Sequence, residues 1–498
     1  MRRSDIPPPV AAFRCDASPV IGAGHVARCL ALAEALSDAG WRIVFATGPQ
    51  TPASVPALAA SGFDFRILDE PDAGAAINLG HRLGSKINLL VLDHYGLDAK
   101  FERACRPWAH RILVLDDRTG RRHDCDFLLD AAATDATIYA GRVPDHARIL
   151  AGPAFALMRR PFVMRREAAL ARRDGRAANE ILISFGATDP ANIASMTLDA
   201  LNKIDTSVLL TVAMSSTAPH IGDVRGRLNG RIRLVVDSAD MAGLMTEADM
   251  AIGAAGVTAF ERAALGLPSI LVTLADNQRG ISRLMVEAGA ALDGGVPDEN
   301  FASRLPGLVA ALLNDSLGRQ RMAQAAASLV DGRGPSRLLI AMAGDAATRD
   351  GARVCLRPAE ANDESWLLQL QREPQTRRYS KNPAAPVADE HRRWMERVLN
   401  DPNILLLIVE VEGVSAGMLR LDPVDQQGPE PRYTVSIAVH PAFYSRGVAA
   451  AALSLARRLR PTAIFDAEIM PDNTASKRLF LHAGFVQLGG NLYRSSPR

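Results

Sequence analysis

The residues best suited by type and spacing to do chemistry lie in Arg14-Cys-Asp-Ala-Ser-Pro-Val-Ile-Gly-Ala-Gly-His25-Val-Ala-Arg28-Cys. This segment follows the apolar run Val10–Phe13 and leads into Cys29–Leu36, which has helical apolar spacing. It therefore reads as strand, glycine turn and helix. Gly22 and Gly24 let the backbone come close to a ligand, and the helix start offers unpaired N–H groups to a phosphate. His25 sits on that turn, where an imidazole can act on whatever the phosphate carries. A glycine turn alone marks only a tight connection between strand and helix. One that also gathers Arg, Asp, Ser and His points to a site.

The elements that must position this turn alternate between short apolar runs and helical patterns. Candidate strands in the first part are Val10–Arg14, Arg42–Ala46, Asn88–Asp93, Arg111–Asp116 and Phe127–Asp130. In an open parallel sheet the carboxyl ends of the strands line the ligand crevice. Asp93, Asp116 and Asp117 therefore either face that crevice or cap the helices that follow. Gly152–Asp174 has little strand character and reads as a connection, with the arginine-rich run 165–176 as a solvated linker face. A second set of strands follows at Glu180–Phe185, Ser207–Met214, Arg231–Val236, Asp249–Gly253 and Ser269–Leu274. The expected fold class is α/β, with two doubly wound Rossmann-like halves (residues 1–158 and 159–345) and a cleft between them.

The second half repeats the phosphate-turn pattern. Ser184-Phe-Gly-Ala-Thr-Asp189-Pro-Ala-Asn192 joins a strand to a helix, and Asp189 and Asn192 are each able to cap or to bind. Ala251-Ile-Gly-Ala-Ala-Gly256-Val-Thr258-Ala-Phe-Glu261-Arg262 is another such turn. The Gly256–Thr258 amides and the Thr258 hydroxyl suit a diphosphate at a helix start. Glu261, one turn in, either accepts from both hydroxyls of a ribose or complements the helix terminus. Asn277 follows the next strand, again at the crevice edge.

Asp345–Arg353 is short, polar and reads as a linker, and the pattern then changes. Val354–Leu356 is an expected strand and Glu364–Gln371 a helix. A hairpin turns at Glu412-Gly413 between Leu405–Val411 and Gly417–Leu421. Arg432–Val439 and Ala463–Ile469 are strands, and Arg446–Arg460 and Asn473–Ala483 are helices. Residues 353–498 thus form a separate α+β domain.

Residues 10–345 resemble the UDP-2,4-diacetamido-2,4,6-trideoxy-β-L-altropyranose hydrolases of pseudaminic acid biosynthesis. The matching blocks are the His25 turn, Val-Leu-Asp-Asp…His-Asp-Cys-Asp, Ala-Leu-Met-Arg-Arg-Pro-Phe, Gly-Ala-Thr-Asp-Pro-Ala-Asn and the Gly256 turn through Ala-Asp-Asn-Gln, in that order. The resemblance implies a glycosyltransferase-B-like fold that hydrolyses instead of transferring. It implies His25 as the base that activates water, attack with inversion at the anomeric carbon, and UDP as leaving group, with no metal. Asp16 would orient His25 or the sugar. Gly24, Asn192, Gly256, Thr258, Glu261 and Asn277 would hold the substrate, with Glu261 on the ribose and Asn277 on sugar or water. The stretch Leu-Leu-Asp-Ala-Ala-Ala after Asp126 departs from the family in lacking amide side chains.

The C-terminal domain resembles the GCN5-related N-acetyltransferases (GNAT). Ser436-Ile-Ala-Val439-His-Pro-Ala-Phe-Tyr444-Ser-Arg446-Gly447-Val-Ala449 matches their acetyl-CoA motif, with Tyr444 where Gln or Arg is usual. Asn473…Ser476…Gly484-Phe485 matches their closing block. The resemblance implies acetyl-CoA held by Val439, Arg446, Gly447, Ala449 and Asn473; Asn473 reads equally as a helix cap. Phe480 replaces the tyrosine that often protonates the leaving thiolate, which leaves the acid unassigned. Glu373–Trp394 resembles members that acetylate 4-amino nucleotide sugars, with His391 or Glu410 as a candidate base and His391 alternatively a helix-surface residue.

The totals fit this reading. The chain has 498 residues, is 48% apolar and 22% charged, and carries a formal net charge of +2, which gives no reason to expect nucleic-acid or membrane binding. Its five cysteines are odd in number and scattered, with no metal-ligand spacing. The expectation is a cytoplasmic bifunctional enzyme acting on a UDP-activated amino sugar and on acetyl-CoA. The alternative is a UDP-sugar glycosyltransferase with a CoA-binding regulatory domain.

Overall fold

The computed structural model describes residues 7–68, 79–80, 83, 86–202, 204, 207–424 and 430–496. They fall into two compact units, one of residues 10–34 and 43–335, the other of residues 7–9, 35–42 and 336–496.

The larger unit holds two parallel sheets. The first contains β1 (Val10–Cys15), β2 (Arg42–Thr47), β3 (Asp64–Ile67), β4 (Leu89–Asp93), β5 (Ile112–Leu115), β6 (Phe127–Asp130) and β7 (Arg148–Ala151), in the order β3-β2-β1-β4-β5-β6-β7. The second contains β8 (Glu180–Ser184), β9 (Leu209–Met214), β10 (Ile232–Val236), β11 (Met250–Ala254), β12 (Ser269–Val272) and β13 (Leu292–Gly295), in the order β10-β9-β8-β11-β12-β13. Central strands such as Leu-Leu-Val-Leu-Asp (β4) are buried throughout, as continuous apolar runs in a sheet covered on both faces must be. The unexpected strands β3, β7 and β13 lie at sheet edges, where short, polar sequences carry little periodic signal. Both sheets reverse strand order once, between β1 and β4 and between β8 and β11. Ligands of such folds bind at the carboxyl ends of the strands flanking that reversal.

The connection expected over Gly152–Asp174 contains a helix, Arg160–Ala171. Arg165 and Arg176 of the 165–176 run are exposed as expected, but Arg166 and Arg173 are not. Arg166 donates to the carbonyls of Ala264, Ala327 (2.7 Å) and Val330 (3.0 Å), and Arg173 to those of Ala248 (2.6 Å) and Met245 (2.8 Å). They satisfy the open carbonyl ends of three other helices. That work leaves no apolar stripe from which the helix could be read.

The smaller unit carries an eight-stranded mixed sheet, β14-β15-β16-β17-β18-β19-β21-β20. Its strands are β14 (Ala346–Ala347), β15 (Arg353–Pro358), β16 (Leu405–Val411), β17 (Val414–Pro423), β18 (Arg432–Val439), β19 (Ile464–Glu468), β20 (Phe485–Gly489) and β21 (Leu492–Ser495). The linker thus supplies a two-residue strand, β14. The hairpin turns at Glu412 and Gly413, both at positive φ (49° and 79°), as a tight two-residue turn requires. β18 and β19 run parallel but pair only over Arg432–Thr434 and Ile464–Asp466. Beyond Thr434 they splay, and Ser436–Val439 are half-buried, open on one edge. Among the described residues no helix is long and apolar enough to cross a membrane.

Candidate functional site

His25 is the second residue of the Gly24–Asp38 helix, which starts just beyond the end of β1. The neighbouring strand β4 delivers Asp93 from its last position. His25 Nδ1 lies 2.5 Å from Asp93 Oδ1, and its ring is only 8% exposed. A carboxylate on Nδ1 favours the tautomer that carries its proton there and so directs Nε2 away from Asp93. Arg28, one turn along the same helix, donates to both oxygens of Asp93 at 2.6 and 2.7 Å. Burial alone would raise the Asp93 carboxyl, but Arg28 and His25 hold it well below the usual range, so it stays ionised. Tyr95 packs edge-on against the imidazole (centroids 4.7 Å apart, planes at 82°) and donates to Asp117 at 2.6 Å. Arg118 lies 3.8 Å above the Tyr95 ring.

The other wall of the cleft comes from the second sheet. A Cβ at Gly24 would lie 3.5 Å from Val257 Cγ2, so the His25 helix start faces the start of the Val257–Ala264 helix directly. The Gly256 cap of that helix has no side-chain hydrogen bond, which leaves its first amides open. Asn277 Nδ2 donates to the Tyr95 hydroxyl at 3.0 Å across the cleft. His25, Gly24, Gly256, Thr258 and Asn277 thus gather at the switch points of the two sheets. Beside them, a small pocket is lined by Arg28, Asp117, Asp130, Ala132, Val257 and Phe260. Asp130 is turned away to hold its own loop, accepting from Ala132 N, Ala133 N and the Tyr139 hydroxyl. Glu261 is half-buried, and burial pushes its carboxyl up to about 7 against the pull of Arg262 and Arg159.

Two expectations are corrected here. The carboxylate on the His25 ring is Asp93, not Asp16. Asp16 is instead gripped by Arg14 (2.5 and 2.9 Å) and Gly48 N (2.6 Å), with His94 Nε2 at 3.3 Å, which pins β1 to the β2 loop. Asn192 does not cap its helix. Its backbone is left-handed (φ 58°) and its amide donates to Asp223 at 2.8 Å, while Asp189 does the capping through Ile193 N and Ala194 N. Asp93 lies at a strand end that was legible; Tyr95 and Arg28 were missed, although Arg28 stands three positions from His25 on one helix.

Behind the site, His123 is clasped by two buried carboxylates, Glu102 on Nδ1 (2.7 Å) and Asp116 on Nε2 (2.8 Å). Burial would lower its pKa, but the two carboxylates outweigh it and push it up to about 9. A raised histidine stabilises the fold fully below its unfolded pKa near 6.5 and loses that contribution as pH rises through the folded value. The thermal midpoint should therefore fall between pH 6.5 and 9, with on the order of 3 kcal/mol at stake. His123→Gln should flatten this slope; an unchanged slope would show that the pair does not govern it.

In the smaller unit the expected acetyl-CoA residues Val439, Arg446, Gly447 and Ala449 follow one another from the end of β18 to the start of the next helix. Val439 ends β18 at its open edge. Gly447 (φ 87°) caps the Val448–Leu459 helix without a side-chain bond, leaving the first amides, that of Ala449 included, free for an anion. This uncapped turn beside splayed strands fits a pyrophosphate-bearing thioester carrier. Arg446 pairs with Asp350 at 2.9 Å, and Asn473 caps its helix through Ser476 N at 3.0 Å. Phe480 is 4% exposed and stacks edge-on against Phe485 at 4.9 Å, so it is a core residue. His391 is not on the helix surface: it is buried against Trp394, and burial lowers its pKa. Glu410 is taken up by Arg357 at 2.7 Å.

Residues 353–486 match the acetyltransferase (GNAT) domain family. The N-terminal part is homologous to the UDP-2,4-diacetamido-2,4,6-trideoxy-β-L-altropyranose hydrolase of Campylobacter jejuni, with 29% identity over 48% of this chain and 82% of the relative. It is also homologous to the spore coat polysaccharide biosynthesis protein SpsG of Bacillus subtilis, with 25% identity over 63% of this chain and 91% of the relative. Among solved structures, Acinetobacter baumannii MurG aligns with a TM-score of 0.48 at 16% identity, covering 66% of this chain and 98% of that one.

Proposed function

We propose that the chain is a bifunctional enzyme of sugar biosynthesis. The C-terminal domain acetylates the 4-amine of a UDP-activated 4-amino sugar using acetyl-CoA. The two N-terminal halves then hydrolyse UDP-2,4-diacetamido-2,4,6-trideoxy-β-L-altropyranose or a close relative of it. The observation that carries the hydrolase reading is the facing pair of helix starts, His25 with its Asp93 partner on one side and the open Gly256–Thr258 amides on the other. UDP docks its diphosphate on those amides and its ribose on Glu261. Water is held on His25 Nε2. As its oxygen attacks the anomeric carbon, its proton passes to Nε2. The bond to the diphosphate oxygen breaks on the opposite face, and the electron pair leaves with UDP. Asp93 holds the imidazole in the basic tautomer and stabilises the imidazolium that forms. The helix start takes up the charge developing on the leaving diphosphate.

The test is to incubate purified protein with the UDP-4-amino-4,6-dideoxy sugar, with and without acetyl-CoA, and to follow UDP and sugar by NMR. Release of UDP that depends on acetyl-CoA, with a diacetamido sugar as co-product, is the expected result. Acetylation without UDP release would remove the hydrolase half of the proposal.

Glu261 gives a second handle. Ribose hydroxyls donate to the ionised carboxyl, so UDP affinity should rise with pH through about 7. Binding should also expel a proton, measurable by calorimetry in buffers of different ionisation enthalpy. Glu261→Gln should abolish the proton release; release that persists would assign it to another group.

A further inference from the structure

Arg262 is one of the largest fully buried side chains of the protein, at 1% exposed. It lies one residue beyond Glu261 in the Val257–Ala264 helix, and its side chain folds back beneath the turn that precedes that helix. Nη2 donates to the Ala254 carbonyl at 2.7 Å, and Nη1 lies 3.4 Å from Thr258 Oγ1. Among the described residues Nε meets no acceptor and no carboxylate pairs with the guanidinium. Glu261 acts on it only through space. Burial draws the guanidinium down to about 10 with Glu261 opposing, so it remains a cation at neutral pH.

The turn is built around this cation. A Cβ at Gly253 would stand 2.8 Å from Arg262 Nη1 and 2.5 Å from the Ser184 carbonyl, so β11 carries glycine where the guanidinium passes. A buried cation without a carboxylate is costly, and an apolar side chain of similar volume would serve the fold better. The uncapped amides of the Gly256–Thr258 turn adjoin this cation, and the two together suit an anion.

We infer that Arg262 is a resident counter-cation for the diphosphate: it lies behind the Gly256–Thr258 turn, orients the Thr258 hydroxyl and favours a doubly charged ligand over a neutral one. It is a positioning residue and does not touch the substrate. The inference rests on the UDP-sugar reading above and adds to it the source of the preference for diphosphate.

The test compares wild type, Arg262→Met and Arg262→Lys by calorimetry with UDP and with uridine, and by the thermal midpoint without ligand. Arg262→Met should lose at least tenfold in UDP affinity while uridine affinity holds, and its unliganded midpoint should stay level or rise. Arg262→Lys should recover part of the UDP preference. Equal losses for UDP and uridine with a lowered midpoint would make Arg262 a structural residue and overturn the inference. So would unchanged UDP affinity in Arg262→Met. A wild type that binds no UDP would instead overturn the UDP-sugar reading itself, and this inference with it.

Discussion

His25→Ala should slow UDP release by about 100- to 10,000-fold, the usual worth of a positioned general base, while UDP binding and acetyl transfer persist. Asp93 Oδ1 lies 2.5 Å from His25 Nδ1, Arg28 keeps Asp93 ionised and Tyr95 packs against the ring edge. Asp93→Asn is the sharper variant. An amide in place of the carboxylate can donate to Nδ1 and so favour the wrong tautomer, and the buried imidazolium loses its counter-charge. The rate of UDP release should then fall with KM little changed. Steady-state kinetics on the acetylated nucleotide sugar separates the two constants. A loss confined to KM would show that His25 binds substrate and does not activate water.

Gly447→Val should have the largest effect on the other activity. Gly447 holds φ at 87°, which costs a β-branched residue on the order of 1–3 kcal/mol, and an added Cβ would meet Arg349 Cγ at 3.0 Å. The turn can then no longer present its amides, and acetyl-CoA affinity should drop by about 10- to 100-fold. Hydrolysis of a nucleotide sugar that is already acetylated should be unaffected. Equal loss of both activities would mean that the substitution unfolds the chain, which a thermal midpoint would reveal.

Both glycine turns were legible because their chemistry is local. A strand, a glycine pair and a helix start are contiguous, and the candidate ligands stand on them. Partners across the sheet were not legible to the same degree. Asp93 reaches His25 only because β4 lies beside β1, an adjacency that the strands' own sequences do not encode. Asp16 was the nearer carboxylate along the chain, but it lies beside Arg14 and the β2 loop, which claim it. Asn192 has the composition of a cap but the wrong backbone for one. The helix Arg160–Ala171 was hidden because Arg166 within it and Arg173 just beyond it serve the carbonyl ends of other helices. In the smaller unit the hairpin and the two long strands were clear from alternation. The closing strands β20 and β21 escaped because glycine and polar residues interrupt them.

In the proposed hydrolysis, water activated at His25 is the acceptor of the sugar. The most direct measurement is to run the reaction in H2(18)O and weigh both products. The label is expected in the anomeric hydroxyl of the released diacetamido sugar, with none in UDP, and UDP release should need no added acceptor. Label in UDP would place the cleavage at phosphorus. UDP release that requires an added sugar or lipid acceptor would make the N-terminal halves a transferase.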